Sequence, residues 1–128
     1  MRIALVGSGY WGSKLLRNLV GIVGADEVVV VDPHVDRLAE AVGAYPSVRT
    51  CRSLDEALDD PAVEAFVIAT PVETHTRLAT TALAAKRHVL VEKPFTTSLA
   101  EAVEMVRLAE DRGLVLMVGH TFLFSERI

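Results

Sequence analysis

Residues Val6–Ser13 read VGSGYWGS, with Gly7, Gly9 and Gly12 in the pattern G-x-G-x-x-G. Glycines at that spacing either cradle a phosphate or only turn a corner, and the pattern alone does not decide which. The flanks decide. Arg2–Val6 is a short apolar run suited to a strand; after the motif, Leu15, Leu16, Leu19, Val20 and Val23 recur at helical spacing, with Gly24 as the expected C-terminal cap. The glycines thus lie directly after a strand and at the mouth of a helix, where a dinucleotide's pyrophosphate is held.

The alternation continues along the chain. Val- and Ile-rich runs at Glu27–Val31, Val48–Cys51, Glu64–Ala69, His88–Val91 and Leu114–Val118 are separated by stretches of helical period. They predict parallel strands joined by βαβ crossovers, several buried on both faces. Further helices are expected near Val35–Val42, from Ser53 to before Pro61, around Leu78–Leu83, and around Leu99–Val106 with Gly113 as its stop. Ser53 with Glu56, and Ser98 with Glu101, read as capping boxes. The expected fold class is a single doubly wound α/β domain, six parallel strands in the order 3-2-1-4-5-6, with its ligand at the switch point between strands one and four.

In that frame each glycine has a part. Gly7 allows a tight turn, Gly9 lets backbone approach the pyrophosphate, and Gly12 permits close helix packing, while the helix N-terminus offers its N–H groups to the phosphates. Asp32 ends the second run, where a carboxylate can accept hydrogen bonds from an adenosine ribose. That carboxylate would repel the extra phosphate of NADP, and Pro33 and His34 follow it where Arg or Ser often serves NADP. NAD is therefore the expected cofactor and NADP the less favoured one, although His34 or Arg37 leaves some positive charge nearby. Tyr10 and Trp11 either line the cofactor entrance or only pack.

A chain of 128 residues, 51% hydrophobic and 23% charged, suits one globular domain. A net charge of −4 gives no basic field, so nucleic acid is not an expected partner and any phosphate must be held locally. The apolar runs are too short for a bilayer and the N-terminus has no signal-peptide pattern. With the single Cys51 unable to form an internal disulfide, a reducing cytoplasm is expected. No His, Cys or acidic cluster has metal-ligand spacing, and neither a P-loop lysine nor a nucleophile elbow is present.

Three later stretches, IATPVETH (Ile68–His75), VEKPF (Val91–Phe95) and VGHTFLF (Val118–Phe124), join the opening glycines in a pattern that resembles the Gfo/Idh/MocA family of nicotinamide-dependent oxidoreductases. The resemblance covers nearly the whole chain, and GHTFLF further resembles the branch acting on nucleotide-linked amino sugars. It implies a Rossmann domain over 1–119, with 120–128 beginning the connection to a C-terminal substrate domain. The implied reaction is hydride transfer between NAD and a hydroxyl carbon of a sugar, cyclitol or nucleotide sugar, such as a UDP-linked N-acetyl hexose or uronate.

By the same resemblance Thr70 and Pro71 touch the cofactor, Glu92 bonds the nicotinamide-side ribose, and Lys93 is the catalytic residue beside the carbon that exchanges hydride. Hydride leaves a carbinol carbon only as the hydroxyl proton is taken up, and a lysine near a positive nicotinamide can handle that proton. The Lys93–Pro94 bond is expected to be cis. His75 and His120 are the substrate-side candidates; His75 is alternatively a solvated first-turn residue, and His120 only the start of the connection.

Two other readings stay open: a stand-alone NAD-sensing or scaffold domain without catalysis, and a Rossmann-like module for S-adenosylmethionine or coenzyme A. Alone, the chain is expected to bind cofactor and to turn over poorly or not at all. Phe122, Leu123, Phe124 and Ile128 call for cover, by a second domain or by self-association into a homo-oligomer.

Overall fold

Strand β2 (Val28–Val31) is buried at all four positions, which an alternating strand achieves only with cover on both faces. The computed structural model describes residues 1–124 and 126, with the backbone alone at 121 and 122, and it supplies that cover. The other strands are β1 (Arg2–Val6), β3 (Arg49–Cys51), β4 (Val63–Ile68), β5 (His88–Glu92) and β6 (Leu116–Gly119). The helices between them are α1 (Tyr10–Val23), α2 (Val35–Ala44), α3 (Leu54–Leu58), α4 (His75–Ala84) and α5 (Leu99–Asp111). Every strand pair is parallel, in the order β3-β2-β1-β4-β5-β6. The chain is a single doubly wound α/β domain, as the sequence led one to expect.

Alternation along the strands divides the core. Leu5, Val28, Val30 and Val67 point to one face and pack with Leu16 of α1 and Leu38 and Ala41 of α2. Ala4, Val6, Val29, Val31, Phe66, Ile68, Val89 and Val91 point to the other and meet Leu54 of α3, Leu78 and Leu83 of α4, and Met105 of α5. The short runs of Val and Ile form strands because β-branched side chains fill a pleated surface that is covered from both sides.

Most strand boundaries differ from the expected ones by a residue or two, and two of the shifts have a visible reason. The last strand begins at Leu116, not Leu114, because the Leu114 N–H turns back to the Ala109 carbonyl at 2.9 Å and Gly113 takes a φ of +64° to end α5. The fifth strand runs one residue further than expected, so Glu92 and Gly119 are paired within the sheet. The capping boxes are half made. Ser53 and Ser98 accept from the N–H groups of Glu56 and Glu101 at 3.2 and 3.3 Å. The Glu56 carboxylate instead accepts from the Arg52 N–H, and that of Glu101 from the Thr76 and Thr96 hydroxyls.

Of the C-terminal apolar residues, Leu123 and Phe124 are exposed, while the side chain of Phe122 and the whole of Ile128 lie outside the described residues. Among the described residues no helix is long and apolar enough to cross a membrane.

Phe66 is fully buried on the central strand β4. Phe66→Ala should cost about 3–5 kcal/mol, a large share of the roughly 5–15 kcal/mol that holds a domain together. Urea unfolding followed by circular dichroism reads this directly; a change within error would mean that β4 is not the core strand.

Candidate functional site

The candidate residues collect along one edge of the sheet, the C-terminal one. Gly7 and Gly9 follow β1, Asp32 follows β2, Thr70 and Pro71 follow β4, Glu92 ends β5 with Lys93 after it, and His120 follows β6. The loops leave the strands still in hydrogen-bond register: the Gly7 N–H donates to the Val31 carbonyl and the Ala69 N–H to the Val6 carbonyl, both at 2.8 Å, and the Asp32 N–H donates to the Cys51 carbonyl at 3.2 Å. Their starting points are therefore as rigid as the sheet.

Between the ends of β1, β2, β3 and β4 opens a cleft of about 790 Å³, closed on one side by α4, within the range of small-molecule and cofactor sites. Gly7, Gly9, Asp32, Thr70 and Pro71 line it, together with three arginines, Arg37, Arg52 and Arg77. Two carboxylates, Asp32 and Asp55, line it as well, so the arginines leave a small local excess of positive charge in an acidic chain. Tyr10, Trp11, Gly12, Glu92, Lys93 and His120 do not line that cleft. Tyr10 and Trp11 stand exposed on the first turn of α1, and the Lys14 ammonium lies 4.9 Å from the centre of the Tyr10 ring.

The three motif glycines are not equivalent. Gly7 has a φ of +95°, and a Cβ there would come within 2.6 Å of the Ala69 carbonyl oxygen. A Cβ on Gly12 would collide with the Gly7 carbonyl, so the close packing expected of Gly12 is against the loop more than against the strand. Gly9 is different: its backbone is extended, and the nearest atom to an added Cβ would be the Arg37 guanidinium at 4.0 Å. Nothing in the chain itself demands glycine at that position. Gly9 also leaves α1 without a side-chain cap, and no acidic residue occupies the first turn. The first N–H groups of α1 are left for an anion.

Asp32 is buried, 1% exposed, and its carboxylate is already engaged. Oδ2 accepts from the Ser8 N–H at 2.9 Å and lies 3.5 Å from Arg37, while Oδ1 accepts from the His34 N–H and lies 2.9 Å from the His34 ring. Burial alone would push the Asp32 carboxyl up, but the Ser8 and His34 N–H groups, the His34 ring and Arg37 outweigh it and hold it below the ordinary value. The charge is fixed at the floor of the cleft by backbone. His34 and Arg37 are the movable partners, 65% and 46% exposed.

His75 does not face the cleft and is not solvated. It is 1% exposed, with Nε2 2.8 Å from the Thr70 carbonyl oxygen and Nδ1 2.9 Å from that of Pro94. The Lys93–Pro94 bond is cis. Lys93 and His120 are exposed and Glu92 is half-buried. A Cβ on Gly119 would come within 2.8 Å of Glu92 Oε1, so the glycine opposite makes room for that carboxylate. Among the described residues no three His, Cys, Asp or Glu come together as a metal site.

Sequence reasoning missed Ser8, Arg52, Arg77 and Gly119. Ser8 acts through backbone, which its identity does not advertise, and the arginines reach the cleft from the loop after β3 and from α4 with no shared spacing. Gly119 stood inside a quoted motif, but its reason is a cross-strand neighbour.

The comparisons with known proteins agree with this geometry. Residues 1–120 match the Gfo/Idh/MocA family model, described as an oxidoreductase family with an NAD-binding Rossmann fold. The chain belongs to that family. It is 36% identical over 125 residues to 4-carboxy-2-hydroxymuconate-6-semialdehyde dehydrogenase of Sphingobium sp. (strain NBRC 103272 / SYK-6), covering 98% of this chain and 40% of that protein. It is also 36% identical over 120 residues to UDP-N-acetylglucosamine 3-dehydrogenase of Acidithiobacillus ferrooxidans, covering 94% of this chain and 37% of the relative. Among solved structures, GenD2 from gentamicin A biosynthesis, in complex with NAD, superposes with a TM-score of 0.88 at 32% identity, over 99% of this chain and 36% of that one. The chain spans 40% or less of the length of these relatives.

Two outcomes follow. Gly12→Ala should lower stability by about 1–3 kcal/mol through overpacking, whereas Gly9→Ser should be neutral or stabilising by about a few tenths of a kcal/mol, because serine caps a helix slightly better than glycine; thermal unfolding compares them. Since the Asp32 pKa is lowered in the fold, its stabilisation is complete above the unfolded value near 3.8 and is lost as pH falls through the folded one. Melting temperatures measured from pH 6 down to pH 2 should therefore fall less steeply at the acid end in Asp32→Asn than in the wild type.

Proposed function

We propose that this chain is the cofactor-holding part of a dehydrogenase that moves hydride between NAD and a hydroxyl-bearing carbon. The observation that carries the reading is Gly9. It is glycine without structural need, it lines the cleft, and it leaves the N–H groups of α1 uncapped. A side chain there would fill the space that a pyrophosphate needs, so the residues fit the group. NAD, when bound, supplies the hydride acceptor or donor.

The chain's own residues then divide the work. The N–H groups at the start of α1 hold the pyrophosphate, with Gly7 and Gly12 fixing their direction. Asp32 accepts from the adenosine ribose hydroxyls as the His34 ring and Arg37 swing off its oxygens. Its charge, fixed by the Ser8 N–H, disfavours a 2′-phosphate, and this supports NAD over NADP. Tyr10 and Trp11 flank the entrance. Thr70 and Pro71 meet the nicotinamide half, Glu92 accepts from its ribose, and Lys93 Nζ takes up or returns the proton of the reacting hydroxyl. His120 lies on the substrate side.

For the substrate the reading takes a sugar, cyclitol or nucleotide sugar, first a UDP-linked N-acetyl hexose. Its support is the GHTFLF stretch and the likeness to UDP-N-acetylglucosamine 3-dehydrogenase. Residues that complete substrate binding are sought outside these 128, with 1–119 as the cofactor domain and 120–128 as the connection. The exposed Leu123 and Phe124 support cover by further chain or by a second copy. The unpaired Cys51 thiol suits a reducing compartment, the cytoplasm.

Calorimetric titration with NAD, NADH, NADP and NADPH tests the proposal. NAD and NADH should bind, the phosphorylated forms at least about tenfold more weakly, a difference of roughly 1.4 kcal/mol. Gly9→Ser should abolish binding in a folded chain. Tighter binding of NADP would overturn the role given to Asp32, and binding of none of the four would overturn the function.

A further inference from the structure

His75 is a fully buried polar side chain to which the mechanism gives no task. It opens α4, and its ring is wedged between two loops. Nε2 lies 2.8 Å from the Thr70 carbonyl oxygen on one side; on the other, Nδ1 lies 2.9 Å from the Pro94 carbonyl oxygen and 3.3 Å from that of Phe95. Carbonyl oxygens only accept, so it is the ring that must donate. A single N–H serves one loop, and a proton on each nitrogen serves both.

The next residue repeats the bridge. The Thr76 hydroxyl donates to Glu101 Oε2 at 2.8 Å and lies 3.1 Å from the Thr96 hydroxyl, which itself donates to Glu101. The first two residues of α4 therefore tie down the connection that begins at Lys93. The adenosine half of the cleft is held by other bonds. The Ser8 N–H to Asp32 and the Gly7 N–H to Val31 do not pass through His75.

We infer that His75 is a positioning residue: its ring sets the Thr70–Pro71 loop and the Lys93–Pro94 turn at a fixed separation, and so fixes the nicotinamide half of the site independently of the adenosine half. The inference rests on the cofactor reading above. A polar ring is kept in the core because two backbone carbonyls, one on each side of the nicotinamide position, need a donor that an apolar side chain cannot supply. The backbone at Lys93 is thereby held through its neighbour's carbonyl.

The test compares NADH with ADP-ribose, which lacks the nicotinamide, by titrating both into the chain and into His75→Leu, His75→Asn and His75→Gln. Asparagine can keep a donor near the Nδ1 position and glutamine one near Nε2. His75→Leu should weaken NADH by about tenfold, the loss expected of one to two buried hydrogen bonds, and ADP-ribose by less than about twofold. His75→Asn and His75→Gln should each recover part of the NADH loss. Where His75→Leu does not fold, the two amide variants carry the comparison, and each should still lose more NADH than ADP-ribose affinity. Equal losses for both ligands, or no loss of NADH in a folded variant, would overturn the positioning role alone. Failure of the wild type to bind either ligand would overturn the cofactor reading and this inference with it.

Discussion

The carbonyl of Gly7 rests against the first turn of α1 at the one position, Gly12, where no side chain intervenes. That contact aims the N-terminus of α1. It needs a positive φ at Gly7 and the absence of a Cβ at Gly12, and both follow from how tightly a strand must turn to send a helix back over its own sheet. Once the helix is aimed, its uncapped N–H groups face the edge where β1, β2 and β4 end, and the other cleft residues act around a fixed electrostatic origin. Buried strands such as Val28–Val31 hold that origin still, because neither face of the sheet can shift without opening the core.

Charge is arranged in layers around this origin. The overall balance is acidic, yet Arg37, Arg52 and Arg77 line the cleft with Asp32 beneath them. Each Asp32 oxygen meets one backbone N–H, from Ser8 or His34, and one exposed side chain, Arg37 or the His34 ring. A buried carboxylate usually costs stability, and here backbone donors offset the cost. Its charge is kept where a ligand can use it, while exposed His34 and Arg37 occupy the oxygens until something displaces them.

Much of this was legible in the sequence, and the parts that were not share a cause. The alternating strands and helices, the glycine turn, the end of α1 at Gly24 and the position of Asp32 follow from local pattern, since period, turn chemistry and spacing are carried by neighbours along the chain, and the strand order follows from the doubly wound rule once that alternation is known. Sequence alone points His75 toward a cleft or water, and it is buried instead because its ring meets the Pro94 carbonyl, nineteen residues away. Gly119 is explained by Glu92 across the ladder, and Glu101 abandons its expected cap for Thr76 on another helix. Contacts of this kind belong to the packed fold, and no window of sequence contains them.

The central claim is that a dinucleotide lies with its pyrophosphate on the N-terminus of α1, across the edge between β1 and β4. The most direct measurement is an amide ¹H–¹⁵N correlation spectrum of the chain titrated with NADH. The account predicts that the largest shifts fall on Gly9, Tyr10, Trp11 and Gly12, with further shifts at Asp32, His34 and Thr70, while amides at the opposite edge of the sheet, such as Ala62 and Arg87, stay in place. Shifts centred elsewhere, with the glycine-loop amides unmoved, would contradict it.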